Sequence, residues 1–504
     1  MVSKPPYILS IDLGTSSCKT IIFTLEGRKA SSAYEEYTVI RPQPGWAEQD
    51  PSAWWKAVVK TIKGALKKGG VKGKEIIGLA VASQREAVVP VRGEQVLYNA
   101  IIWLDNRTLP QVEHIRDTFD PKEILSITGL NISPVFSASK ILWLKDNASE
   151  CFKKTECFLF PKDYIIFKLT GEKVTDYSMA SRTMLFDIRE KQWSDEICSA
   201  FGIDLDKLPP VKESHAVVGE VSSKASKETS LPPGIPVVNG GGDRPCECFG
   251  AGVIDEGFVN IGTGTGTSFE VPLREPRPDE KGRVNCCCHV IPNLWEYEFS
   301  ISTTGAILRW FRDVFGYEEI SKAKKTGRNP YYFLIRDASR LKPGADGLLF
   351  YPHTTSMFST SPENRDYAVF FGITLSHSKS HFVRSILEGI SFKYLKVLEL
   401  LKELNINVSE MRMVGGETKS DFWNQLKADV IGMRIRIPQV EDSAAMGAAL
   451  LAGIGIGQYP SIKKAVESTV RIKKTYEPNM LNHSIYMALY KNYEEIHNFL
   501  SAII

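Results

Sequence analysis

Two stretches of the chain repeat one pattern, an apolar strand followed by glycine and hydroxyl residues. These residues are Gly14, Thr15, Ser16 and Ser17 in the first stretch, and Gly262, Thr263 and Gly264 in the second. A glycine lets the backbone approach a phosphate closely, and N–H and hydroxyl groups donate to the phosphate oxygens. Two such turns, about half of the 504-residue chain apart, indicate that phosphate is held by two similar halves. The pattern therefore favours phosphoryl transfer.

Charged residues lie beside the first turn. Asp12 ends the first strand, where a carboxylate can hold Mg²⁺ through water next to the phosphates of a nucleotide. The alternative is a turn aspartate that caps backbone N–H groups. The equivalent position of the second half is Asn260, which lacks the charge, and this difference favours a metal beside the first turn. Lys19 either donates to phosphate or is an ordinary strand residue.

Asp243 follows three glycines at the end of an apolar run. Glycines would leave its carboxylate open to a ligand, so we predict that Asp243 removes the proton of an attacking hydroxyl. The alternative is an aspartate in a glycine-rich loop.

Polar residues that suit a polyol follow another apolar strand. Gln84, Arg85 and Glu86 offer a donor fork and an acceptor side by side, which matches hydroxyls that both donate and accept. The alternative is a solvated ion pair. Trp103 packs either on the apolar face of a sugar or in the core. Gly415 and Gly416, before a helix that Ser420 opens, form either a nucleotide contact or a tight turn.

Strands and helices alternate in both halves, which predicts an α/β fold of two domains, 1–253 and 254–504. Apolar runs predict strands, and 3.6-residue periodicity predicts helices. Residues 208–236, with five prolines, are expected to be a connector. The predicted strands are 7–11, 18–23, 30–39, 76–83, 237–243, 412–414 and 435–437, and the helices 51–68, 109–118, 137–147, 382–404, 420–432 and 443–453.

Composition excludes several classes of protein. A net charge of +3 is too small to favour nucleic acid or an anionic membrane. No apolar run has the roughly 20 residues of a membrane span, and the N-terminus lacks a signal-peptide core, so we expect a cytoplasmic protein. The nine cysteines lack paired spacing, which favours buried thiols over metal or disulfide roles.

Several motifs in order resemble those of the FGGY carbohydrate kinases, and most closely the glycerol kinase and xylulokinase branches. The resemblance extends from Asp12 to about Gly457, and many ordered motifs make it specific. The matching segments are 12–17, 45–50, 84–86, 98–107, 175–186, 240–243, 262–264, 371–377, 387–389, 415–416 and 445–449.

The resemblance implies a two-domain actin- and Hsp70-like ATPase fold (ribonuclease H-like), with ATP and a small sugar or polyol in the interdomain cleft. It implies Asp243 as general base, and Mg²⁺ beside Asp12 and Asp243. Arg85, Glu86, Trp103 and Asp243 match positions that hold the polyol in glycerol kinases. The family also implies a homodimer or homotetramer. The expected nucleotide-binding residues are Gly14, Thr15, Ser16, Ser17, Lys19, Gly262, Thr263, Gly264, Gly305, Arg309, Gly415, Gly416 and Ser420.

Three departures from the glycerol kinase pattern concern the substrate. Val135 stands where those enzymes have tyrosine, Gly266 where they have phenylalanine, and Arg244 where glutamine is usual. Two lost aromatic walls predict a wider pocket, which favours a ketopentose such as xylulose or ribulose, or a C4–C5 polyol. Glycerol is the alternative, and Arg244 keeps a carboxylate substrate such as gluconate open.

Two non-kinase readings stay open from the sequence. The same fold serves chaperone ATPases and filament proteins, which have no reason to carry Arg85, Glu86 and Asp243 together. A catalytically inactive sugar sensor would be expected to lose Asp243.

Overall fold

The computed structural model describes residues 6–352 and 368–503, with backbone only for 501–503. These residues form two compact units. The first contains 6–255, 272–297 and 442–471, and the second contains 256–271, 298–352, 368–441 and 472–503. A single cut between residues 253 and 254 therefore does not describe the chain, because two later stretches pack within the first unit.

The elements up to residue 255 are fifteen strands and ten helices by our numbering of the described chain. The strands are β1 (Tyr7–Leu13), β2 (Ser17–Thr24), β3 (Lys29–Glu36), β4 (Glu48–Gln49), β5 (Ile76–Ser83), β6 (Val89–Arg92), β7 (Gln95–Val96), β8 (Ala100–Ile101), β9 (Cys157–Leu159), β10 (Thr175–Asp176), β11 (Phe186–Asp187), β12 (Gln192–Trp193), β13 (Val211–Lys212), β14 (Val217–Glu220) and β15 (Pro236–Gly242). The helices are α1 (Pro51–Gly69), α2 (Leu109–Thr118), α3 (Pro121–Thr128), α4 (Ser137–Asn147), α5 (Ser149–Lys154), α6 (Pro161–Thr170), α7 (Tyr177–Ala180), α8 (Asp195–Phe201), α9 (Ser223–Thr229) and α10 (Asp243–Gly250).

The later elements continue the mixture of strands and helices. The strands are β16 (Phe258–Thr263), β17 (Thr267–Leu273), β18 (Asn285–Cys288), β19 (Trp295–Ile301), β20 (Leu349–Tyr351), β21 (Val369–Phe371), β22 (Glu410–Gly415), β23 (Ile435–Pro438) and β24 (Ile472–Tyr476). The helices are α11 (Thr304–Phe315), α12 (Tyr317–Thr326), α13 (Pro330–Ala338), α14 (Lys379–Glu403), α15 (Asp421–Ile431), α16 (Ser443–Gly455), α17 (Ile462–Thr469) and α18 (Met480–Ile503).

The main sheet of the first unit has the order β14–β15–β5–β1–β2–β3. β5 lies between β1 and β15 and is parallel to both, and β1 is antiparallel to β2. Parallel strands end at the same edge of a sheet. The turn after β1, the segment after β5 and the start of α10 after β15 therefore share one edge, where the predicted phosphate, polyol and base residues lie.

The second unit repeats this topology. Its sheet contains, in order, β19, β17, β16, β22, β23 and β24. β16 is antiparallel to β17 and parallel to β22, as β1 is to β2 and β5. The doubled turn of the sequence is thus a doubled strand arrangement. By this equivalence, Gly415 at the end of β22 corresponds to Ser83 at the end of β5, and Gly416 corresponds to Gln84.

Helix α1 illustrates why the predicted elements form. Pro51 occupies its first turn, Asp50 accepts a hydrogen bond from the N–H of Ser52 at 2.8 Å, and Gly70 ends it in the left-handed conformation. Trp54 and Val58, one turn apart, are fully buried against the sheet. Capping and periodicity thus agree over the predicted helix 51–68.

The region 208–236 is not a plain connector. It contains β13, β14 and α9, and β14 extends the main sheet beside β15. Its five prolines cluster near its two ends, so they leave the short strands and the helix between them intact.

Helix α16 explains why a late stretch belongs to the first unit. It packs on α10, β1 and β5. A β-carbon at Gly447 would lie 1.9 Å from the carbonyl oxygen of Cys246, and one at Gly250 would lie 1.9 Å from that of Ser443. The two helices therefore approach backbone to backbone, which is the reason for the small residues of α16.

Candidate active site

Asp243 is held at the start of α10. Nε of Arg85 lies 3.5 Å from its Oδ1, and the backbone N–H of Arg244 donates to the same oxygen at 2.9 Å. The Asp243 side chain is 39% exposed, whereas that of Arg85 is 2% exposed. A carboxylate that is held in place and open to a ligand has the properties of a general base.

The glycines before Asp243 have another purpose than the one expected. Gly240 has a φ of 73°, and a β-carbon there would lie 1.9 Å from the carbonyl oxygen of Val81 in β5. A β-carbon at Gly242 would lie 2.3 Å from Cδ of Arg85. These glycines bring β15 against β5 and make room for the arginine, so they position the partner of Asp243 instead of opening space for a ligand.

Glu86 and Arg85 are not a solvated ion pair, because both are buried. Glu86 has a φ of 65°, a strained value for a residue other than glycine. Nε of Arg182 donates to Oε1 of Glu86 at 2.7 Å, and the hydroxyl of Ser137 donates to its carbonyl oxygen at 3.2 Å. These bonds hold the strained residue in place.

Gln84 is only 1% exposed, so it does not present its amide to solvent. Its Nε2 donates to Oε1 of Gln49 at 2.8 Å, and its backbone N–H donates to the carbonyl oxygen of Leu13 at 2.8 Å. In this structure Gln84 joins the segment after β5 to the end of β1, and the expected polyol contact of Gln84 stays a prediction.

Trp103 lies on the phosphate turn and not in the core. Its indole is 39% exposed, and Nε1 donates to Oγ1 of Thr15 at 2.9 Å. An exposed aromatic face suits the apolar face of a sugar.

The first turn closes on itself. The N–H of Gly14 donates to the carbonyl oxygen of Ser17 at 2.9 Å, and the hydroxyl of Tyr37 is shared by the carbonyl oxygens of Gly14 and Ser17. The N–H of Tyr37 donates to the carbonyl oxygen of Ser16 at 3.0 Å. With its carbonyls so engaged, the turn has hydroxyl and N–H groups left as donors for an anion.

Asp12 lies within β1, directly opposite Lys19 of β2. Burial raises the pKa of Asp12 to about 7, and the nearby carboxylate of Asp243 adds to the rise. Nζ of Lys19 donates to Asp442 at 2.5 Å, so this lysine is engaged within the protein. Asp12 and Asp243 thus form a pair of mutually repelling carboxylates, and a divalent cation would relieve the repulsion.

Val135 packs its side chain against a buried apolar cluster of the first unit. Its carbonyl oxygen accepts a hydrogen bond from Nζ of Lys140, which is fully buried. Burial lowers the pKa of Lys140 to about 7, although Glu86 and Asp105 oppose the shift. The segment around Val135 is therefore fixed by a buried lysine.

The second turn uses its own side chain internally. The hydroxyl of Thr263 donates to the carbonyl oxygen of Val414 at 2.6 Å and accepts from the N–H of Glu417 at 3.2 Å. Gly264 donates to the carbonyl oxygen of Gly266 at 2.8 Å. The N–H of Gly264 and the hydroxyl proton of Thr263 are thus already bound, and the phosphate contacts expected of Gly262, Thr263 and Gly264 stay predictions.

Gly266 does not open a space in the second unit. A β-carbon there would lie 2.6 Å from the carbonyl oxygen of Ile301 and 2.8 Å from that of Ser302. Backbone thus lies where a side chain at Gly266 would begin, so the structure gives no support to the expected widening there.

The remaining candidate nucleotide-binding residues differ in how much open space lies beside them. A β-carbon at Gly305 would lie 2.1 Å from the carbonyl oxygen of Gly264, and one at Gly415 would lie 2.0 Å from that of Thr263, so both glycines allow close packing of backbone. Arg309 is exposed on α11, and Gly416 has open space beside it. Ser420 caps α15 by accepting from the N–H of Trp423 at 3.3 Å.

One buried cluster has metal-binding residue types. The ligand atoms of Cys248, His289 and Glu296 lie within 4.8 Å of one another. However, Nδ1 of His289 accepts from the N–H of Ile291 at 3.0 Å, which assigns the ring proton to Nε2. Nε2 lies 3.6 Å from Glu296 and cannot coordinate a metal while protonated. The donor set therefore does not suit a metal.

Sequence reasoning gave no role to Gln49, Arg182 and Lys140, which hold the residues it did select. Gln49 and Arg182 lie within segments that resemble the family's motifs, and this was the one feature of the sequence that could have indicated a role for them. Their partners are distant in the chain: Arg182 and Glu86 are separated by 96 residues.

The fold and the candidate site together define the protein as a two-unit α/β phosphotransferase of the ATPase-like type. The chain matches the N-terminal domain of the FGGY family of carbohydrate kinases over residues 7–250 and the C-terminal domain over residues 259–456. The protein therefore belongs to the FGGY family of carbohydrate kinases, and it transfers a phosphoryl group to an alcohol group of its acceptor.

Individual relatives extend over almost the whole chain. It is 32% identical to a xylulose kinase of Bacillus subtilis over 97% of this chain and 96% of the relative. It is 34% identical to a glycerol kinase of Thermococcus gammatolerans over 94% of each. The crystal structure of xylulose kinase from Rhodospirillum rubrum has a TM-score of 0.89 and 25% identity, with 99% of each chain covered.

These comparisons confirm the predicted family, fold class and enzyme class. Kinases of this family use ATP. Among residues 6–352 and 368–503, no helix combines the length and apolar character that crossing a membrane requires.

Proposed function

We propose that the protein phosphorylates a ketopentose, xylulose or ribulose, at a terminal hydroxyl, with a C4–C5 polyol as the next choice. The observation that carries the proposal is the carboxylate of Asp243, held by Arg85 and Arg244 and 39% exposed beside Asp12. The similarity to xylulose kinases over nearly the whole chain supports the choice of sugar.

In this proposal Asp243 accepts the proton of the substrate hydroxyl as its oxygen attacks the γ-phosphorus of ATP. Arg85 keeps the carboxylate directed at that hydroxyl, which lowers the entropic cost of bringing the two reacting groups together. The exposed face of Trp103 packs on the carbon chain of the sugar, while Glu86 and Arg85 bind its hydroxyls. Arg244, next to the base, is a further substrate contact.

The nucleotide contacts are proposed unit by unit. In the first unit, Thr15, Ser16 and Ser17 donate to phosphate, Gly14 lets the turn lie close to it, and Lys19 contributes positive charge. In the second unit, the proposed contacts are Gly262, Thr263, Gly264, Gly305, Arg309, Gly415, Gly416 and Ser420.

Mg²⁺ fits the residues beside the first turn. Asp12 and Asp243 supply carboxylate oxygens, the ligands that Mg²⁺ prefers, and their mutual repulsion contributes to the raised pKa of Asp12. Bound there, the ion would neutralise charge on the transferring phosphoryl group. The chain's own part is to hold these two carboxylates at one edge of the sheet, with Asp12 near the end of β1 and Asp243 at the start of α10 after β15.

Glycerol is the second candidate, favoured by the similarity to a glycerol kinase and by Arg85, Glu86 and Trp103 at polyol positions. Val135 argues against it, because an aliphatic side chain in place of tyrosine removes an apolar contact from a small substrate. Gluconate is third, through Arg244. We also propose a cytoplasmic homodimer or homotetramer, which sedimentation and fractionation would test.

The test is a coupled assay of ADP release with xylulose, ribulose, xylitol, ribitol, erythritol, glycerol and gluconate. We expect the highest kcat/KM with one of the two ketopentoses. A wide preference for glycerol would overturn the choice of sugar. Absence of phosphorylation with all seven would overturn the proposal as a whole.

A further inference from the structure

Gln49 is a buried glutamine whose side-chain amide makes three hydrogen bonds. It lies in β4 and is 1% exposed. Its Oε1 accepts from Nε1 of Trp54 at 3.1 Å and from Nε2 of Gln84 at 2.8 Å. Its Nε2 donates to the carbonyl oxygen of Thr15 at 2.5 Å. Because the Thr15 carbonyl can only accept, the amide has one satisfied orientation.

Thr15 is held at a second point by Trp103. The indole N–H is a donor only, so Oγ1 of Thr15 accepts at 2.9 Å and keeps its own proton for another acceptor. A phosphate oxygen is such an acceptor. The exposed face of the same indole is the proposed sugar contact, so one side chain touches both substrates' sites.

The connections form a continuous series within the first unit, from Trp103 to Asp243. Gln49 joins Thr15 to Gln84, and Gln84 immediately precedes Arg85, which holds Asp243. Ordering Trp103 and the segment after β5 by a bound sugar therefore also orders Thr15. Once the first ligand has ordered these residues, the second ligand binds without paying that loss of conformational entropy again.

We propose that Gln49 is a positioning residue that couples sugar binding to the phosphate turn, so that bound sugar raises the affinity for ATP. The proposal rests on the proposed function, because it takes Trp103 and Arg85 as sugar contacts. Linkage makes the effect reciprocal: ATP raises the affinity for sugar by the same factor.

The experiment measures binding of a non-hydrolysable ATP analogue by calorimetry, with and without saturating D-xylulose, in the full-length protein. We expect xylulose to raise the affinity of the wild type at least about fivefold, within the usual range of coupling. In Gln49→Met the amide is lost at similar volume, and we expect the factor to fall below about twofold. We expect KM for xylulose to change less than kcat, because the sugar contacts remain.

Gln111→Met is the matched control, since Gln111 is another buried glutamine and its amide donates to Asp146 at 2.9 Å on α4. It should keep the wild-type coupling factor. Trp103→Phe keeps an aromatic face but removes the N–H, and it carries the test if Gln49→Met does not fold. We expect it to lose the coupling as well.

The outcomes separate the inference from the proposed function. If xylulose is phosphorylated but does not change affinity for the analogue in the wild type, the inference is wrong and the function stands. Coupling that persists in both Gln49→Met and Trp103→Phe overturns it too. If xylulose is not phosphorylated, the proposed substrate is wrong, and the inference falls with it.

Discussion

At the scale of single residues, the candidate site consists of exposed groups held by buried ones. Asp243 and Trp103 are each 39% exposed, whereas Arg85, Gln49 and Arg182 behind them are buried. Exposed groups are available to ligands, and the buried partners fix their orientation. Function at this scale therefore depends on both layers.

The proposed base gives the first prediction. Asn in place of Asp243 keeps size and polarity but cannot take a proton, so we expect Asp243→Asn to lower kcat by about 10²–10⁴-fold. Affinity for an ATP analogue measured without Mg²⁺ should stay within about threefold of the wild type, since the direct nucleotide contacts that we propose in both units remain. Coupled ADP release and calorimetry measure the two effects.

Asp255→Asn serves as the control for this variant, because Asp255 pairs with Arg274 on an exposed surface. Its turnover should match the wild type. Turnover of Asp243→Asn close to that of the wild type would exclude Asp243 as the base.

Lys140 gives a prediction about pH. Its pKa in the folded protein is about 7, below its value of 10.5 in the unfolded chain, because burial disfavours the charge. Between these values the unfolded state binds more protons, so this group makes stability rise with pH. Over the 1.5 pH units above pH 7, this lysine raises the free energy of unfolding by about 2 kcal/mol.

We expect the free energy of unfolding of Lys140→Met to rise less with pH than that of the wild type. Unfolding of both proteins in urea from pH 6 to 9 measures the difference. Other titrating groups are common to both proteins and cancel in the comparison. Parallel curves for the two proteins would contradict a lowered pKa for Lys140.

Single residues also show the limit of sequence reasoning. Asp243 and Trp103 could be selected because their types and neighbours suggest chemistry. The hydrogen bonds of Gln84 and the packing at Gly266 could not, because they depend on Gln49 and on the backbone of Ile301 and Ser302. Those neighbours become adjacent only in the folded chain.

At the scale of elements, the predicted strands and helices are largely confirmed because periodicity and capping agree locally. The prediction failed at 208–236, where prolines were given too much weight. The use of glycines was also not visible from sequence, since a close approach such as that of Gly447 to Cys246 involves two separate helices.

The joint between β22 and α15 contains a buried ion pair. Nζ of Lys427 donates to Oε2 of Glu417, and both side chains are buried. Burial lowers the pKa of Lys427, with Glu417 opposing the shift. The N–H of Glu417 also donates to Thr263, so the pair supports the second turn.

We expect Lys427→Met to destabilise the protein by about 3–5 kcal/mol, because it leaves a buried carboxylate without its counter-charge. The double variant Glu417→Gln with Lys427→Met removes both charges and should recover much of the loss. Urea unfolding measures both. KM for ATP should rise in the single variant, as the second turn loses its support.

Lys322→Met is the control, because Lys322 and Glu318 form an exposed pair on α12 with 3.8 Å between the charged atoms. Exposed pairs contribute little, so its stability should be close to that of the wild type. A double variant as unstable as Lys427→Met would show that the charge imbalance is not the cause.

At the scale of the whole molecule, the sequence correctly predicted two similar halves but not how the chain is divided between them. A cut at the middle follows from length and from the repeat. The return of residues 442–471 to the first unit depends on α16 packing on α10, β1 and β5, a long-range contact with no local signal in its sequence.

This division predicts that the first half of the chain does not fold alone. Without α16, a fragment of residues 1–253 lacks Met446, Leu450 and Leu451, each 1% exposed in the full protein. Three such side chains contribute about 5–9 kcal/mol by burial, which is comparable to the whole stability of a domain. We expect the fragment to lack cooperative thermal unfolding by circular dichroism.

Joining residues 442–471 to it through a flexible linker should restore cooperative unfolding at least in part, because α16 and α17 regain their packing surface. A fragment 1–253 that unfolds as cooperatively as the full chain would contradict the role of α16 in the first unit.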